Sequence, residues 1–413
     1  MTVIADAHEL KDDIVRLRHR LHQEPEIGLH LPRTQEKVLE ALDGLPYEIT
    51  LGQDTTSITA VLRGTASDAK VRPEIYGAGR PVVLLRGDMD GLPVQEATGV
   101  DYSSRIDGAM HACGHDLHTA MLTGAATLLA ERRHQLAGDV VLMFQPGEEG
   151  FDGAGVMLRE GVLDAAGRRP DAAYGLHVMS SMEPNGRLFT KPGILLSASD
   201  GLVVTVLGAG GHGSAPHLAK DPVLAVSEMV TALQVMITRQ FNMFDPVVLS
   251  VGLLQAGTKR NVIPDSAHFE ATIRTFSESS REKIMTTAPR LLEGIAAAHG
   301  LEVVVDYRPE YPMTVTDGAE TEIAEQVISE LFDEPRYARL AQPMSGSEDF
   351  SRILAEVPGS FICLSAADPD TDHRTAAFNH SPLATFDDNV LADGTALYTE
   401  LALNRIAQLA ADR

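Results

Sequence analysis

The chain has 413 residues, of which 44% are hydrophobic and 22% charged, and these values predict a globular protein of two domains. Its net charge of −24 argues against nucleic acid and anionic membranes as partners, and it fits either a need for solubility or a salt-rich habitat. Only two cysteines (Cys113 and Cys363) and an N-terminus without a signal pattern predict a reducing cytoplasm, with one disulfide as the alternative. No apolar stretch approaches the roughly 20 residues that span a membrane.

The first elements are predicted from apolar spacing. Apolar residues at three-to-four spacing predict a helix over residues 6–23 and a second helix over residues 34–42. A short strand is expected at residues 57–64. Residues 65–79 are rich in small, charged and turn-forming side chains, so we expect a loop there.

Four apolar runs have the pattern of strands buried on both faces: residues 81–85, 139–144, 171–176 and 360–364. Helical stretches separate them, and this alternation predicts an α/β domain with a mostly parallel mixed sheet flanked by helices. Ligands bind such sheets beyond the carboxyl ends of the strands. The residues with ligand chemistry that follow the four runs are Asp88 and Asp90, Glu148 and Glu149, His177, and, a loop's length further on, His380.

Residues 111–118 hold five side chains that could bind a metal: His111, Cys113, His115, Asp116 and His118. Thiolate and imidazole are the preferred ligands of zinc and similar ions. In an extended loop, Cys113 and His115 would point to the same side. A helix is expected to follow, with Asp116 as its N-cap. The spacing fits no standard zinc finger, and a histidine-rich surface turn is the alternative.

Between residues 196 and 308 the predicted order changes to βαββαβ, which is typical of a ferredoxin-like sandwich. We interpret it as a domain inserted into the catalytic one, which comprises residues 1–195 and 309–413. The insert contains a match to the dinucleotide fingerprint at residues 208–213. Because Pro216 and Pro222 delay the next helix, we expect a flexible turn that presents His212 instead.

A two-metal hydrolytic site needs about five or six ligands and a carboxylate that moves the protons of a water. The candidates for these roles are Cys113, His115, Glu148, Glu149, His177 and His380. The adjacent glutamates suit two tasks because neighbouring side chains in a loop point in different directions; a solvated acidic turn is the alternative. For Asp88 and Asp90 we expect the task of orienting a ligand imidazole.

Seven motifs occur in order along the chain: Arg86-Gly87-Asp88-Met89-Asp90-Gly91-Leu92-Pro93, His111-Ala112-Cys113-Gly114-His115-Asp116, Gln145-Pro146-Gly147-Glu148-Glu149, Gly175-Leu176-His177, Gly211-His212-Gly213-Ser214, Gly346-Ser347-Glu348-Asp349-Phe350 and Asn379-His380-Ser381-Pro382. Together they resemble the hippurate hydrolase and N-acyl-amino-acid amidohydrolase family. That family includes the indole-acetyl-amino-acid hydrolases and belongs with the aminoacylase-like dinuclear metallopeptidases. The resemblance extends over nearly the whole chain, from His22 to His380.

The resemblance implies that five residues bind two divalent ions: Cys113, His115, Glu149, His177 and His380. It implies that Glu148 is the general base and acid, and that the insert dimerises and closes over the substrate. His212 matches a histidine that polarises the scissile carbonyl, often from the partner subunit. Asn261 and Arg274 match substrate-binding positions, although Arg274 could equally be a surface residue of a strand.

The expected activity is metal-dependent cleavage of N-acetyl, N-benzoyl or arylacetyl amino acids, by a homodimer or a higher homo-oligomer. The donor types allow Zn, Mn, Co or Ni, and the thiolate favours Zn. A dipeptidase or carboxypeptidase-like metallopeptidase, a two-metal phosphoesterase, and a metal-binding protein without turnover are the alternatives.

Overall fold

The computed structural model describes residues 2–66, 79–332 and 336–412. The chain divides into two compact units. The first comprises Met1–Leu195, Val315–Gln342 and Asp349–Arg413, and the second comprises Leu196–Thr314 and Pro343–Glu348. Most of the loop predicted at residues 65–79 lies outside the described residues.

The first unit is built on an eight-stranded mixed sheet. In chain order its strands are β1 (Tyr47–Leu51), β2 (Ile58–Arg63), β3 (Val82–Asp88), β4 (Asp139–Gln145), β5 (Ala172–Met179), β6 (Leu188–Thr190), β15 (Tyr337–Arg339) and β16 (Gly359–Ser365). Their order across the sheet is β1-β2-β4-β3-β5-β16-β6-β15. The four central strands are parallel. The predicted α/β fold with a mostly parallel sheet is therefore confirmed.

Eight helices belong to the described part of this unit: α1 (Val3–Glu9), α2 (Lys11–His22), α3 (Pro32–Leu42), α4 (His115–Glu131), α5 (Gly153–Arg159), α8 (Gly318–Leu331), α9 (Ser351–Leu354) and α10 (Val390–Ala411). Helices α4 and α10 are buried around most of their circumference. They pack with the central strands into the main hydrophobic core. A helix that is apolar on all sides is expected at such a central position.

Three local predictions are wrong. The single helix expected at residues 6–23 is divided at Leu10, whose ψ of −6° opens the turn between α1 and α2. Asp116 is not the N-cap of α4, since that helix already begins at His115 and Gly114 takes the cap position. For the same reason Cys113 and His115 do not lie in an extended loop.

The second unit is an antiparallel sheet with helices packed against it. Its main elements are β8 (Ala198–Leu207), α6 (Pro222–Gln240), β10 (Val247–Ala256), β12 (Ser266–Thr275), α7 (Glu278–Ala298) and β13 (Glu302–Tyr311). The sheet order β10-β12-β8-β13 and the order βαββαβ along the chain are those of a ferredoxin-like sandwich, as predicted. The apolar sides of α6 and α7 pack on it to form a separate core.

Four short strands complete the structure. Two of them, β9 (Gly211–His212) and β11 (Val262–Ile263), pair within the second unit. The others, β7 (Gly193–Leu196) and β14 (Thr314–Thr316), lie where the chain passes from one unit to the other. Among the described residues, no helix is both long and apolar enough to cross a bilayer.

Candidate metal centre

The parallel strands β3, β4 and β5 bring their carboxyl ends to one edge of the sheet. Asp88 ends β3, and Glu148 and Glu149 follow β4. His177 lies near the end of β5, where it pairs with Cys363 of β16. Both cysteines of the chain are free and buried, so Cys113 is available as a thiolate ligand. The topology therefore gathers residues that are far apart in the sequence.

Gly114 sets the direction of the turn between Cys113 and His115. Its φ of +90° is in the left-handed region, which favours glycine. A Cβ at this position would also lie 2.3 Å from Cγ2 of Val178. The turn therefore requires glycine, and it places one donor on the loop before α4 and the next in the first turn of the helix.

The donor atoms of four predicted ligands lie close to one another. Cys113 Sγ is 3.4 Å from His177 Nε2 and 3.2 Å from His380 Nε2. His380 Nε2 is in turn 3.1 Å from Glu149 Oε1. Ligand atoms on a tetrahedral zinc ion are separated by about 3.5 Å, given zinc–ligand bonds of about 2.0 to 2.3 Å. The spacing therefore suits donors that converge on metal ions.

His115 completes this set. Its Nε2 lies 4.0 Å from Glu149 Oε1, and its Nδ1 lies 3.3 Å from Asp90 Oδ1. Within the described part of the chain, His115 Nε2 is buried without a hydrogen-bond partner. A buried polar atom without a partner is costly, and a bound cation would remove that cost. The residues present therefore fit a site for divalent ions.

The other ring nitrogen of His177 is held by the protein. The Nδ1–H of His177 donates to the Val178 carbonyl at 2.8 Å, which leaves Nε2 with its lone pair toward Cys113. Burial lowers the pKa of His177, and the charge on His118 would lower it further. The His177 ring is therefore neutral, as a metal ligand must be.

His380 occupies a strained backbone conformation. Its φ is +73°, and its N–H donates to the Ala112 carbonyl at 2.8 Å. Left-handed conformations of residues other than glycine persist where the surrounding structure fixes them, often at functional sites. Here the strain directs the imidazole toward Cys113 and Glu149.

Asp90 organises the glutamate pair. Its Oδ1 accepts from the Glu148 N–H at 3.0 Å, and its Oδ2 accepts from the Glu149 N–H at 3.1 Å. The Glu148 side chain is buried, and a carboxylate oxygen of each glutamate lies within 4.8 Å of a His115 nitrogen. One carboxylate therefore holds the backbone of both glutamates and also contacts the His115 ring.

Asp88 and His118 form a buried pair, and Asp88 Oδ2 also lies 3.5 Å from His115 Nε2. The Val178 N–H donates to His118 Nε2 at 2.7 Å, so the proton of the ring is on Nδ1 and is donated to Asp88 at 2.5 Å. Asp88 also forms an ion pair with Arg86 at 2.7 Å. Because both ring nitrogens of His118 are engaged, neither is available to bind a metal ion.

Asp116 is part of a buried charge network that the sequence did not reveal. Its Oδ2 accepts from Arg18 Nε at 2.8 Å and lies 2.8 Å from His22 Nδ1. Burial alone would raise the pKa of Asp116, but the charges of Arg18 and His22 outweigh it and lower the pKa. His111 is buried, and this burial lowers its pKa to about 3. With His118, three of the five donors in residues 111–118 therefore lie outside the proposed ligand set.

Two further residues of the site were not predicted. Asn379 precedes His380, and its amide donates to the carbonyls of Cys113 and Val178, both at 3.0 Å. Asp349 accepts from Arg86 Nη2 at 3.2 Å and from Gln145 Nε2 at 2.7 Å. Both residues lie in motifs that carry the family resemblance, and Asn379 also precedes a predicted ligand, but neither had a spacing that indicated its partners.

The three residues of the second unit that were predicted to act on the substrate do not all lie together. His212 is exposed on β9, where it pairs with Val262 of β11, and exposed Asn261 immediately precedes that strand. The predicted flexible turn thus contains a short strand. Arg274 lies near the carboxyl end of β12, where it pairs with Ser199 of β8 and donates to the Ser199 hydroxyl at 2.6 Å.

Residues 84–404 match the model of peptidase family M20/M25/M40. The chain is 33% identical over 402 residues to thermostable carboxypeptidase 2 of Saccharolobus solfataricus, with 96% of both chains covered. It is 31% identical over 403 residues to hippurate hydrolase of Campylobacter jejuni, covering 98% of this chain and 99% of the relative.

A solved structure with the same fold is a dinuclear metal-binding peptidase of the M20 family from Bacillus subtilis. Its TM-score is 0.78 at 30% identity, and the match covers 97% of this chain and 99% of that one. Both the family model and the relatives match far more than half of the chain, and their names agree with the family resemblance of the motifs. The chain therefore belongs to the peptidase family M20/M25/M40 and is a hydrolase of that family.

Proposed function

We propose that the protein is a metal-dependent amidohydrolase that cleaves N-acyl amino acids into a carboxylic acid and a free amino acid. The observation that carries the proposal is the difference in surroundings between Glu148 and Glu149. Glu149 Oε1 lies 3.1 Å from His380 Nε2 among the converging donor atoms, whereas Glu148 is buried and its backbone N–H is held by Asp90.

The proposed ligands of two divalent ions are Cys113, His115, Glu149, His177 and His380. Bound there, the ions would supply a water of lowered pKa and would polarise the scissile carbonyl. Thiolate, imidazole and carboxylate donors suit zinc, and Mn, Co and Ni remain open.

The proton transfers fall to Glu148. Its carboxylate takes a proton from the attacking water and later gives it to the leaving nitrogen. Asp90 supports this task because it holds the Glu148 N–H and so fixes the start of the turn. We assign to His212 the stabilisation of the oxyanion, and to Asn261 and Arg274 the binding of the substrate carboxylate or carbonyl.

A carboxypeptidase activity is the second candidate, favoured by the similarity to a relative with that name. The two activities share their chemistry, because each hydrolyses an amide whose nitrogen belongs to an amino acid with a free carboxylate. They differ in whether the other side is a simple acyl group or a peptide. A hydrolysis panel therefore has to include both types of substrate.

We also propose that the second unit mediates a homodimer, or a higher homo-oligomer built from it. Strand β10 lies at the edge of its sheet, and its second half exposes Leu253 and Leu254. On the adjacent helix α6, Leu224 and Val235 are exposed as well. An exposed, apolar edge strand is unusual for a monomer, and pairing with a second copy would cover it.

The test is a panel of N-acetyl, N-benzoyl and indole-acetyl amino acids, together with dipeptides, assayed with Zn, Mn, Co and Ni. We expect hydrolysis of N-acyl amino acids that a chelator abolishes and a divalent ion restores. No hydrolysis of any N-acyl amino acid by a protein with verified metal content would reject the proposal. Faster cleavage of dipeptides would favour the carboxypeptidase alternative.

A further inference from the structure

Exposed apolar side chains of the first unit are concentrated near the proposed ligands. Of the eight large hydrophobic residues exposed in its described part, three lie elsewhere: Ile49, Leu51 and Val315. The other five, which we call the apolar rim, are Ile27, Phe151, Met182, Phe378 and Leu383. Apolar side chains that cluster at a functional site indicate a binding surface.

Two rim residues lie on the Glu149 side. Phe151 follows Glu149 by two residues, and its ring lies against Gly28, where an added Cβ would be 3.2 Å from the ring carbons. Ile27 precedes Gly28 and forms a β-bridge with Gly91, on the loop after β3. These backbone contacts fix both side chains beside the turn that carries the glutamates.

The other three rim residues lie on the His380 side. Phe378 precedes His380 by two residues, and Leu383 follows it by three. The N–H of Met182 donates to the carbonyl of His373 at 3.0 Å, which joins Met182 to the same loop. This loop thus presents apolar side chains on either side of a proposed ligand.

The segments that carry the two sides meet at the proposed ligands, because His380 Nε2 lies 3.1 Å from Glu149 Oε1. We propose that the apolar rim binds the acyl group, and that the preferred substrates carry a bulky apolar or aromatic acyl chain instead of acetyl. This inference rests on the proposed function. The acyl group is the natural occupant, because the amino-acid part of the substrate carries a carboxylate that an apolar surface cannot bind.

The test compares N-benzoyl with N-acetyl derivatives of one amino acid. The variants are Phe151→Ser and Phe378→Ser, with Leu51→Ser as the matched control; the native side chains are 47%, 49% and 46% exposed. We expect each rim variant to lower the benzoyl-to-acetyl ratio of kcat/KM by about 10-fold, since a pocket discriminates apolar groups by about 10- to 200-fold. The control should leave the ratio unchanged.

A binding measurement separates this inference from the proposed function. Benzoate and acetate are titrated by calorimetry into the metal-loaded enzyme and the same variants. If no N-acyl amino acid is cleaved but the rim variants weaken benzoate binding about 10-fold, the proposed function is rejected. The inference that the apolar rim binds an apolar acyl group is then supported. If N-acetyl substrates are cleaved, and both the kcat/KM ratio and benzoate binding stay within about two-fold of wild type in the rim variants, the rim inference is overturned.

Discussion

Asp349 closes the loop that carries the glutamate pair, and its removal tests whether that loop must be rigid. Its Oδ1 accepts from Arg86 and Gln145, and its Oδ2 accepts from the Ala154 N–H at 2.9 Å. Gln145 ends β4, and Ala154 lies in the first turn of α5. One carboxylate therefore ties down both ends of the segment that contains Glu148.

The loss of stability expected for Asp349→Ala follows from these contacts. Hydrogen bonds to a charged group contribute about 1.5 to 3 kcal/mol each, so three donors give an upper estimate of about 9 kcal/mol. Arg86 keeps Asp88 as a partner and water can enter the space, which brings the loss to the range of about 3 to 5 kcal/mol for broken buried pairs. We expect Asp349→Ala to lower the free energy of unfolding by about 4 kcal/mol. Asp349→Asn, which keeps one acceptor oxygen, should lose about half as much.

The loss of activity in Asp349→Ala should exceed the loss that partial unfolding alone would cause. A displacement of about 1 Å at a catalytic group can cost about 100-fold in rate, so kcat should drop by at least about 10-fold in Asp349→Ala, with KM nearly unchanged. The measurements are urea unfolding and steady-state kinetics on the best substrate. Asp370→Ala, an exposed aspartate of the same unit, is the control. A folded Asp349→Ala protein with wild-type kcat and a stability loss below about 1 kcal/mol would refute this account.

Three further predictions concern the site itself. Glu149→Ala should lose metal by elemental analysis, whereas Glu148→Ala should keep its metal and lose about 10,000-fold in kcat; the opposite pattern would reverse the two roles. Cys113→Ala should weaken metal binding in a competition titration with a chelator, because a methyl group cannot replace a thiolate ligand, and unchanged affinity would remove Cys113 from the site. Mixing inactive His212→Ala with inactive Glu148→Ala should restore partial activity if His212 acts in the partner subunit, and heterodimers without activity would exclude that arrangement.

Much of the fold could be predicted because buried parallel strands leave a strong local signal. The apolar runs at residues 139–144 and 360–364 agree with the observed bounds of β4 and β16 to within one residue at each end. Ligand candidates could be recognised for a related reason: they follow the strands at the edge where such sheets bind ligands. His380 was the hardest case, since a loop separates it from β16 and its placement depends on a left-handed backbone conformation.

The partners of the buried charges could not be predicted, because they are distant in the sequence. Arg18 and Asp116 are 98 residues apart, and Gln145 and Asp349 are 204 apart. Local spacing assigned Asp116 to a helix cap, which is the usual role of an aspartate near a helix start. Its actual role depends on α2 packing beside α4, and that contact is a property of the folded chain.

Asn379 has a consequence for the exchange of the ions. Its Nδ2 donates to the loop of Cys113 and to the end of β5, and its Oδ1 accepts from the Ser180 N–H at 2.9 Å. These hydrogen bonds join three segments through atoms that bind no metal. Removal of the ions should therefore leave the loops in place, so the apoprotein should unfold cooperatively and accept a different ion without refolding. Metal replacement then becomes a practical way to vary the Lewis acidity of the centre while its geometry is conserved.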